Sequence, residues 1–282
     1  FMSRQNISYL SLADASALTE RLYGVRVTAS DLPSERDQNF LLRSESGERF
    51  ILKLANIAER REVLEAECAV MLHLEPTGLN PRVIRTVDGA AIGMHGSQFV
   101  RLISALPGTT LGTAPLHTDA LRRDLGRALG RMGRALANFD HPALHRDFHW
   151  DLANAERVVG TYLPLVADAA IADRITKLAA YHRAQVVPLL PGLRRGVIHG
   201  DANDYNVLID EARQTVTGIV DFGDMVHSHI VNDVAIAMAY VALSAADPLA
   251  AAAAAVGGYH DTHPLTEPEL EARVPAGSVT GL

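Results

Sequence analysis

Gly196-Val197-Ile198-His199-Gly200-Asp201-Ala202-Asn203-Asp204-Tyr205-Asn206-Val207-Leu208-Ile209-Asp210 is a polar loop bracketed by two short apolar runs. Runs of that length, bounded by glycine and charged residues, read as buried strands. The loop between them carries a carboxylate, Asp201, and five residues later an amide, Asn206. Downstream, Gly218-Ile219-Val220-Asp221-Phe222-Gly223-Asp224 repeats the form, an apolar strand ending on a carboxylate. Two buried strands thus deliver three oxygen-bearing side chains to loops.

Upstream of this segment the first third of the chain reads as strands with one or two helices. Asp14 to Tyr23 has helical character and meets Gly24, a residue suited to the left-handed position after a helix. Phe40 to Arg43 and Arg49 to Leu54 flank the polar turn Ser44 to Glu48 and read as a hairpin. Asn56 is placed to cap a helix reaching about Leu74, with Val63, Ala66, Val70 and Leu74 at helical spacing. Gly78 and Pro81 break the chain before two strand candidates, Arg82 to Val87 and Gln98 to Ile103. A boundary at about Ser104, ahead of the turn-rich Leu106-Pro107-Gly108, gives a first unit of residues 1–103 and a second of 104–282.

Beyond that boundary the pattern is mostly helical. His117 to Asn138 is long and amphipathic. Its Gly126, Gly130 and Gly133 have no strand before them, so they read as close helix packing rather than as a phosphate loop. Asp247-Pro248-Leu249, six alanines and Gly257-Gly258 read as a complete helix with an N-cap, a first-turn proline and a glycine stop.

The spacing of the polar residues suits phosphoryl transfer. One carboxylate must orient an acceptor hydroxyl and take its proton. An amide oxygen and a second carboxylate must hold Mg²⁺ against the phosphates of ATP or GTP. A lysine, itself held by a glutamate, must neutralise the phosphate tail. Asp201, Asn206, Asp221 and Lys53 fill those places in the chain order that kinases use. Glu67 on the following helix is the natural partner of Lys53, with Glu65 and Glu62 as fallbacks. Lysine is scarce here: of 26 basic residues only Lys53 and Lys177 are not arginine, so one kept inside an apolar strand invites a functional reason. No Walker loop and no Gly-x-Ser-x-Gly elbow competes.

His145-Arg146-Asp147 spells the kinase catalytic triplet more literally than His199-Gly200-Asp201 does. The position five after Asp147 is Leu152, which cannot ligate a metal, and no Asp-Phe-Gly follows at a suitable distance, so the spacing rejects it. His145, Asp147 and His149 also alternate as metal ligands would. Without a further ligand cluster in the sequence they read as solvated or packing groups, and His227 and His229 read the same way.

Composition bounds the remaining choices. With 282 residues, 48% hydrophobic and 21% charged, the chain has the make-up of a globular protein. A net charge of −7 argues against a nucleic-acid partner. No apolar run approaches the roughly 20 residues of a membrane span, and the N-terminus lacks a secretory layout. A single cysteine, Cys68, fits a reducing compartment. The expectation is a cytoplasmic protein that binds neither nucleic acid nor membrane.

With these residues in place, the chain resembles the aminoglycoside phosphotransferase / choline kinase superfamily, and within it the hydroxylysine-kinase group. The resemblance rests on Asp37-Gln38-Asn39-Phe40, on His199 to Asn206, and on Ile219 to Met225 followed by Asp233-Val234-Ala235-Ile236-Ala237. It extends from about residue 20 to about residue 270 and implies an α+β, bilobal protein-kinase-like fold. That fold has a small, five-stranded antiparallel-sheet N-lobe and a mainly helical C-lobe. The resemblance places Asp201 as the catalytic base, Asn206 and Asp221 as Mg²⁺ ligands, and Lys53 on the α- and β-phosphates. Ser34 to Asn39, with Gln38, would form the turn over the phosphates, and the backbone from Arg101 to Ile103 would receive the purine. Asp233 matches an aspartate with a structural role.

For the acceptor, Asp204, Tyr205, Asp224 and Trp150-Asp151 are candidates by position for gripping a cationic amine. The expected activity is a small-molecule kinase acting on a hydroxyl of an amino alcohol or amino acid, hydroxylysine-like first. Homoserine, an ethanolamine-like amino alcohol or an aminoglycoside remain open as acceptors, and a nucleotide-binding pseudokinase as the non-enzymatic reading. Protein phosphorylation is disfavoured, because no Ala-Pro-Glu motif follows Asp221-Phe222-Gly223. The family pattern continues with further helices after Pro264 to Glu267, where this sequence runs through Val274-Pro275-Ala276-Gly277. Some bacterial relatives form the N-terminal part of a longer fusion bearing an aminotransferase, so membership of a longer fusion protein is also open.

Overall fold

The computed structural model describes residues 10–34, 37–243 and 245–272. The chain divides into two compact units, Phe1–Pro107 and Gly108–Leu282. In the first unit helix α1 (Leu12–Tyr23) precedes strands β1 (Val27–Leu32), β2 (Gln38–Ser44) and β3 (Arg49–Leu54). Helix α2 (Arg61–Leu74) follows, then β4 (Val83–Ile84), β5 (Gly93–His95) and β6 (Gln98–Ser104). The strands form one antiparallel sheet in the order β1-β2-β3-β6-β4, with β5 also paired to β6.

The sheet therefore has six strands where five were expected. The hydrophobic pattern marks neither β1 nor β5. β1 is an edge strand without a single buried residue, so it carries no hydrophobic alternation, and β5 is three residues long. The boundary of α2 also shifts. Asn56 does not cap it; its side-chain oxygen accepts the Ala58 N–H in a local turn, and the helix starts five residues later at Arg61. Short polar side chains often favour such turns over helix entry. α1 behaves as read: Ser11 and Asp14 form a capping box, and Gly24 ends it at φ 69°.

Alternation along the strands decides what each face carries. Phe40 and Leu42 of β2, Phe50, Leu52 and Leu54 of β3, and Val100 and Leu102 of β6 are buried in a core with Ala15, Leu18 and Tyr23 of α1. The intervening residues point to the opposite face. There the register sets Asn39 opposite Lys53 and Lys53 opposite Arg101, so three side chains singled out in the sequence stand abreast on neighbouring strands.

The second unit opens with β7 (Thr109–Thr110) and α3 (Asp119–Leu136), followed by α4 (Ala155–Tyr162) and α5 (Ala169–Tyr181). Then come β8 (Arg195–Ile198), β9 (Val207–Asp210), β10 (Thr215–Ile219) and β11 (Val226–His229), and finally α6 (Val231–Leu243), α7 (Pro248–Thr262) and α8 (Glu267–Glu271). β10-β9-β7 form a three-stranded sheet, and β8 pairs with β11. Each key loop thus crosses between the same two sheets: residues 199–206 from β8 to β9, and residues 220–225 from β10 to β11. That shared crossing sets the two loops side by side.

The glycines of α3 behave as the sequence implied. A Cβ on Gly126 would lie 1.9 Å from the Ala255 carbonyl oxygen of α7. The expected glycine stop at Gly257-Gly258 needs correction, because α7 continues to Thr262. A Cβ on Gly258 would stand 1.9 Å from the Arg123 oxygen of α3, so this glycine serves backbone contact rather than termination. Among the described residues no helix is long and apolar enough to cross a membrane.

Candidate active site

The loop after β8 is fixed from beneath. Asp233, on the first turn of α6 and 2% exposed, accepts the His199 N–H at 3.1 Å and the Gly200 N–H at 2.8 Å, one on each oxygen. Burial pushes its carboxyl well above the usual carboxylate range, while those two amides and His199 pull it down. Gly200 sits at φ 79°, and a Cβ there would come within 2.8 Å of the Asp224 oxygen, so glycine is required on both counts. His199 is fully buried. Its Nε2 faces the Val220 carbonyl at 3.1 Å and its Nδ1 faces the Asp201 N–H at 3.3 Å. A carbonyl can only accept and an amide can only donate, so the proton is on Nε2.

This scaffold presents Asp201. One carboxylate oxygen accepts from Asn203 Nδ2 at 2.9 Å, the other from Asn206 Nδ2 at 2.8 Å. Partial burial raises its pKa from the ordinary value, outweighing the two amide contacts and His199; Asp221 pushes in the same upward direction. The result is a positioned, partly desolvated carboxylate, the state a general base needs.

Asn206 Nδ2 also donates to the Asp201 carbonyl at 2.9 Å. With its amide nitrogen set between two oxygens, its Oδ1 is directed away from Asp201. Asp221 adopts φ 63°, ψ 80°, a left-handed conformation that aspartate tolerates better than most residues and that often marks functional positions. The neighbouring strands join the two loops: the Val220 N–H donates to the Asn206 carbonyl at 2.9 Å, and buried Phe222 meets His199 edge to face at 5.1 Å. An amide oxygen and a carboxylate form an all-oxygen donor pair, which fits a hard divalent cation such as Mg²⁺.

The literal kinase triplet does something else. The Asp147 side chain is exposed and ion-paired with Arg157 at 2.6 Å. Arg146, which the sequence reading passed over, donates to the carbonyls of Gly223 and Met225 at 2.7 and 2.8 Å and so braces the Asp221 loop. His149 packs edge-on against Trp150 and Tyr162.

In the first unit, the guanidinium that reaches Glu67 is that of Arg101. The pair is almost fully buried, with α2 laid over the face that carries Asn39 and Lys53. The sequence resemblance points to the backbone of Arg101, whereas its side chain is the group that holds Glu67. Gln38 does not join this row: it points to the core face, and its amide bonds both backbone groups of Leu10 at 2.9 Å. Ile103 stands in the ladder between Ile51 and Val83, and the chain leaves the sheet only after Ser104, whose N–H goes to Arg82. Ser34 is exposed just beyond β1. Glu35 and Arg36, within the expected phosphate turn, lie outside the described residues. Asn39 Oδ1 is buried without a hydrogen-bond partner among the described residues, an acceptor left over in the row that carries Lys53.

Of the acceptor-side candidates, Tyr205 and Trp150 are largely exposed. Asp204 lies against Gly112, whose N–H donates to its carbonyl at 2.8 Å. Asp151 is taken up by the Ser228 hydroxyl at 2.6 Å. Tyr240 of α6 carries no motif or spacing that marks it; burial first, then the charges of Asp201 and Asp204, push its phenol pKa up.

A family model described as phosphotransferase enzyme family matches residues 28–268. Hydroxylysine kinase of Xenopus laevis is 31% identical over 293 residues, which cover 93% of this chain and 78% of that protein. Among solved structures, an amicoumacin kinase in complex with AMP-PNP, Ca²⁺ and Ami superposes with a TM-score of 0.68 at 16% identity, covering 91% of this chain and 79% of that one. A microcompartment-associated aminopropanol kinase gives a TM-score of 0.64 at 16% identity, covering 96% and 93%. These two share the fold.

Proposed function

The chain belongs to the phosphotransferase enzyme family, and from that premise we propose that it is a small-molecule kinase for a metabolite bearing both a hydroxyl and an amine, hydroxylysine-like first. The observation that carries the reading is Asp201, a half-buried carboxylate oriented by two asparagine amides in a loop pinned by Asp233. Its task is to take the acceptor hydroxyl's proton as that oxygen bonds to the γ-phosphorus. The bond from γ-phosphorus to the bridging oxygen breaks, and the nucleoside diphosphate leaves. A divalent cation, Mg²⁺ in this reading, held by Asn206 and Asp221 supplies charge neutralisation on the phosphate oxygens. Lys53 is assigned to the α- and β-phosphates, and Glu67 acts with Arg101 to order the face on which Lys53 stands.

The choice of acceptor is supported by the names of the relatives, a hydroxylysine kinase and an aminopropanol kinase, both denoting amine-bearing alcohols. Asp204, Asp224, Tyr205 and Trp150 are assigned to the acceptor ammonium and its carbon chain. ATP is the first nucleotide to test, since AMP-PNP is bound in the amicoumacin kinase; GTP is the second. The test is a panel of hydroxy-amino acids and amino alcohols with each nucleotide, reading nucleotide consumption. Turnover with hydroxylysine at the highest kcat/KM is the expected result. Nucleotide binding without turnover on any acceptor would favour a pseudokinase, and neither binding nor turnover would overturn the reading.

A further inference from the structure

Asp140, His145 and His227 each bring one ligand atom to within 4.8 Å of the others. His145 Nε2 lies 2.7 Å from Asp140 Oδ1. The His145 and His227 rings stack with centroids 4.2 Å apart and planes at 21°. We propose that these three side chains form a binding site for a borderline divalent transition cation, represented by Zn²⁺, separate from the Asn206–Asp221 pair and different from it in chemistry.

The donor set makes the first argument. Two imidazole nitrogens and one carboxylate oxygen are the ligands that Zn²⁺ and its neighbours in the transition series prefer. Mg²⁺ prefers oxygens and gains little from imidazole. The two sites therefore differ in the ion that their donor atoms favour.

Backbone placement makes the second. His227 lies on β11, opposite Val197 of β8. Asp140 and His145 flank the short turn Pro142–Leu144, whose Leu144 is buried. The next residue, Arg146, is anchored on the carbonyls of Gly223 and Met225. The Asp140 carboxylate is oriented by the His141 N–H at 2.9 Å. Three ligands are thus held on rigid supports, as a preorganised site requires.

The remaining adjustment is small. Bonds of about 2.0–2.1 Å in a tetrahedral site put ligand atoms roughly 3.3 Å apart. Reaching that from the present spread asks the His145 ring, 46% exposed, to turn out of its stack on His227 so that both imidazoles aim at one point. The cation takes the place of the proton now shared by His145 Nε2 and Asp140 Oδ1, with water completing the shell. Asp147 and His149, the alternating neighbours, are turned to Arg157 and to Trp150 and Tyr162, so they do not contribute. Once bound, the ion fastens the 140–145 segment to the strand that leaves the Asp221 loop.

The experiment is equilibrium dialysis of the whole chain against Zn²⁺ in millimolar Mg²⁺, paired with thermal unfolding. One equivalent bound at micromolar free Zn²⁺, with a raised melting temperature, is the expected result. His145→Gln and His227→Gln should each abolish both, while His149→Gln keeps both. His145→Gln, at an exposed position, should melt like the wild type in the absence of Zn²⁺. Should His227→Gln fail to fold, Asp140→Asn replaces it and should weaken binding at least tenfold. Retention of the equivalent in His145→Gln, or half-saturation only at millimolar Zn²⁺, would overturn the site and leave adventitious surface binding.

Discussion

Asn206 Nδ2 lies 2.8 Å from Asp201 Oδ2, so the amide assigned to the cation also holds the carboxylate assigned to the proton. A substitution at Asp201 removes the proton acceptor while the loop stays anchored through Asp233. Asp201→Asn should therefore lower kcat by roughly 10²–10⁴-fold with a much smaller change in KM for the nucleotide. Asp147→Asn removes only an exposed ion pair with Arg157 and should leave kcat within about twofold. Steady-state kinetics on the two variants checks this; a dead Asp147→Asn beside an active Asp201→Asn would reverse the assignment.

The raised pKa of Asp201 gives two pH signatures. Only the ionised carboxylate can take a proton, so kcat/KM should fall as pH drops through its raised value, above the ordinary 3.8. Stability runs the other way. Between the unfolded and the raised folded value the native state holds more protons than the unfolded chain, so this group costs stability as pH climbs through that window, and the full cost persists above it. Asp201→Asn abolishes the effect. Its melting temperature relative to wild type should rise as pH climbs from the ordinary 3.8 through the raised folded value and then level off. A flat or falling difference in thermal scans would contradict the raised value.

Glu67 and Arg101 are each under a tenth exposed. Removing either leaves a buried charge without its partner. Arg101→Met or Glu67→Met should each cost about 3–5 kcal/mol in urea unfolding. The double variant replaces the pair by apolar groups and should recover most of that loss. Additive losses would mean that the two residues act independently.

What the sequence made legible follows from how locally each feature is encoded. Asp201, Asn206 and Asp221 sit in short loops bounded by strands, so their spacing along the chain can be read locally. Arg101 reaching Glu67 depends on strand parity and on a helix folded back across 34 residues of chain, and no local pattern reports that. Gln38 and Asn39 are adjacent in sequence yet lie on opposite faces of β2, a distinction visible only once the register was known. Asp140, His145 and His227 belong together through the β8–β11 pairing, whereas chain order had grouped His145 with Asp147 and His149. Gly257-Gly258 carried the composition of a helix end, and packing against α3 turned it into a contact.

That contact gives a prediction of sign as well as size. The Cβ of Gly126→Ala would stand 1.9 Å from the Ala255 carbonyl oxygen and 2.7 Å from the Tyr259 nitrogen. Both obstacles are main chain, so no rotamer relieves them and α3 must move away from α7. Overpacking of this kind costs about 1–3 kcal/mol, and the upper end is expected here. Gly160 of α4 offers the opposite case, since a Cβ there meets nothing within 4 Å. Gly160→Ala should stabilise by about 0.5–1 kcal/mol, because alanine loses less backbone entropy on entering a helix. Urea unfolding of the two variants side by side should show shifts of opposite sign. Equal shifts would mean that helix propensity, rather than the approach of two backbones, governs both glycines.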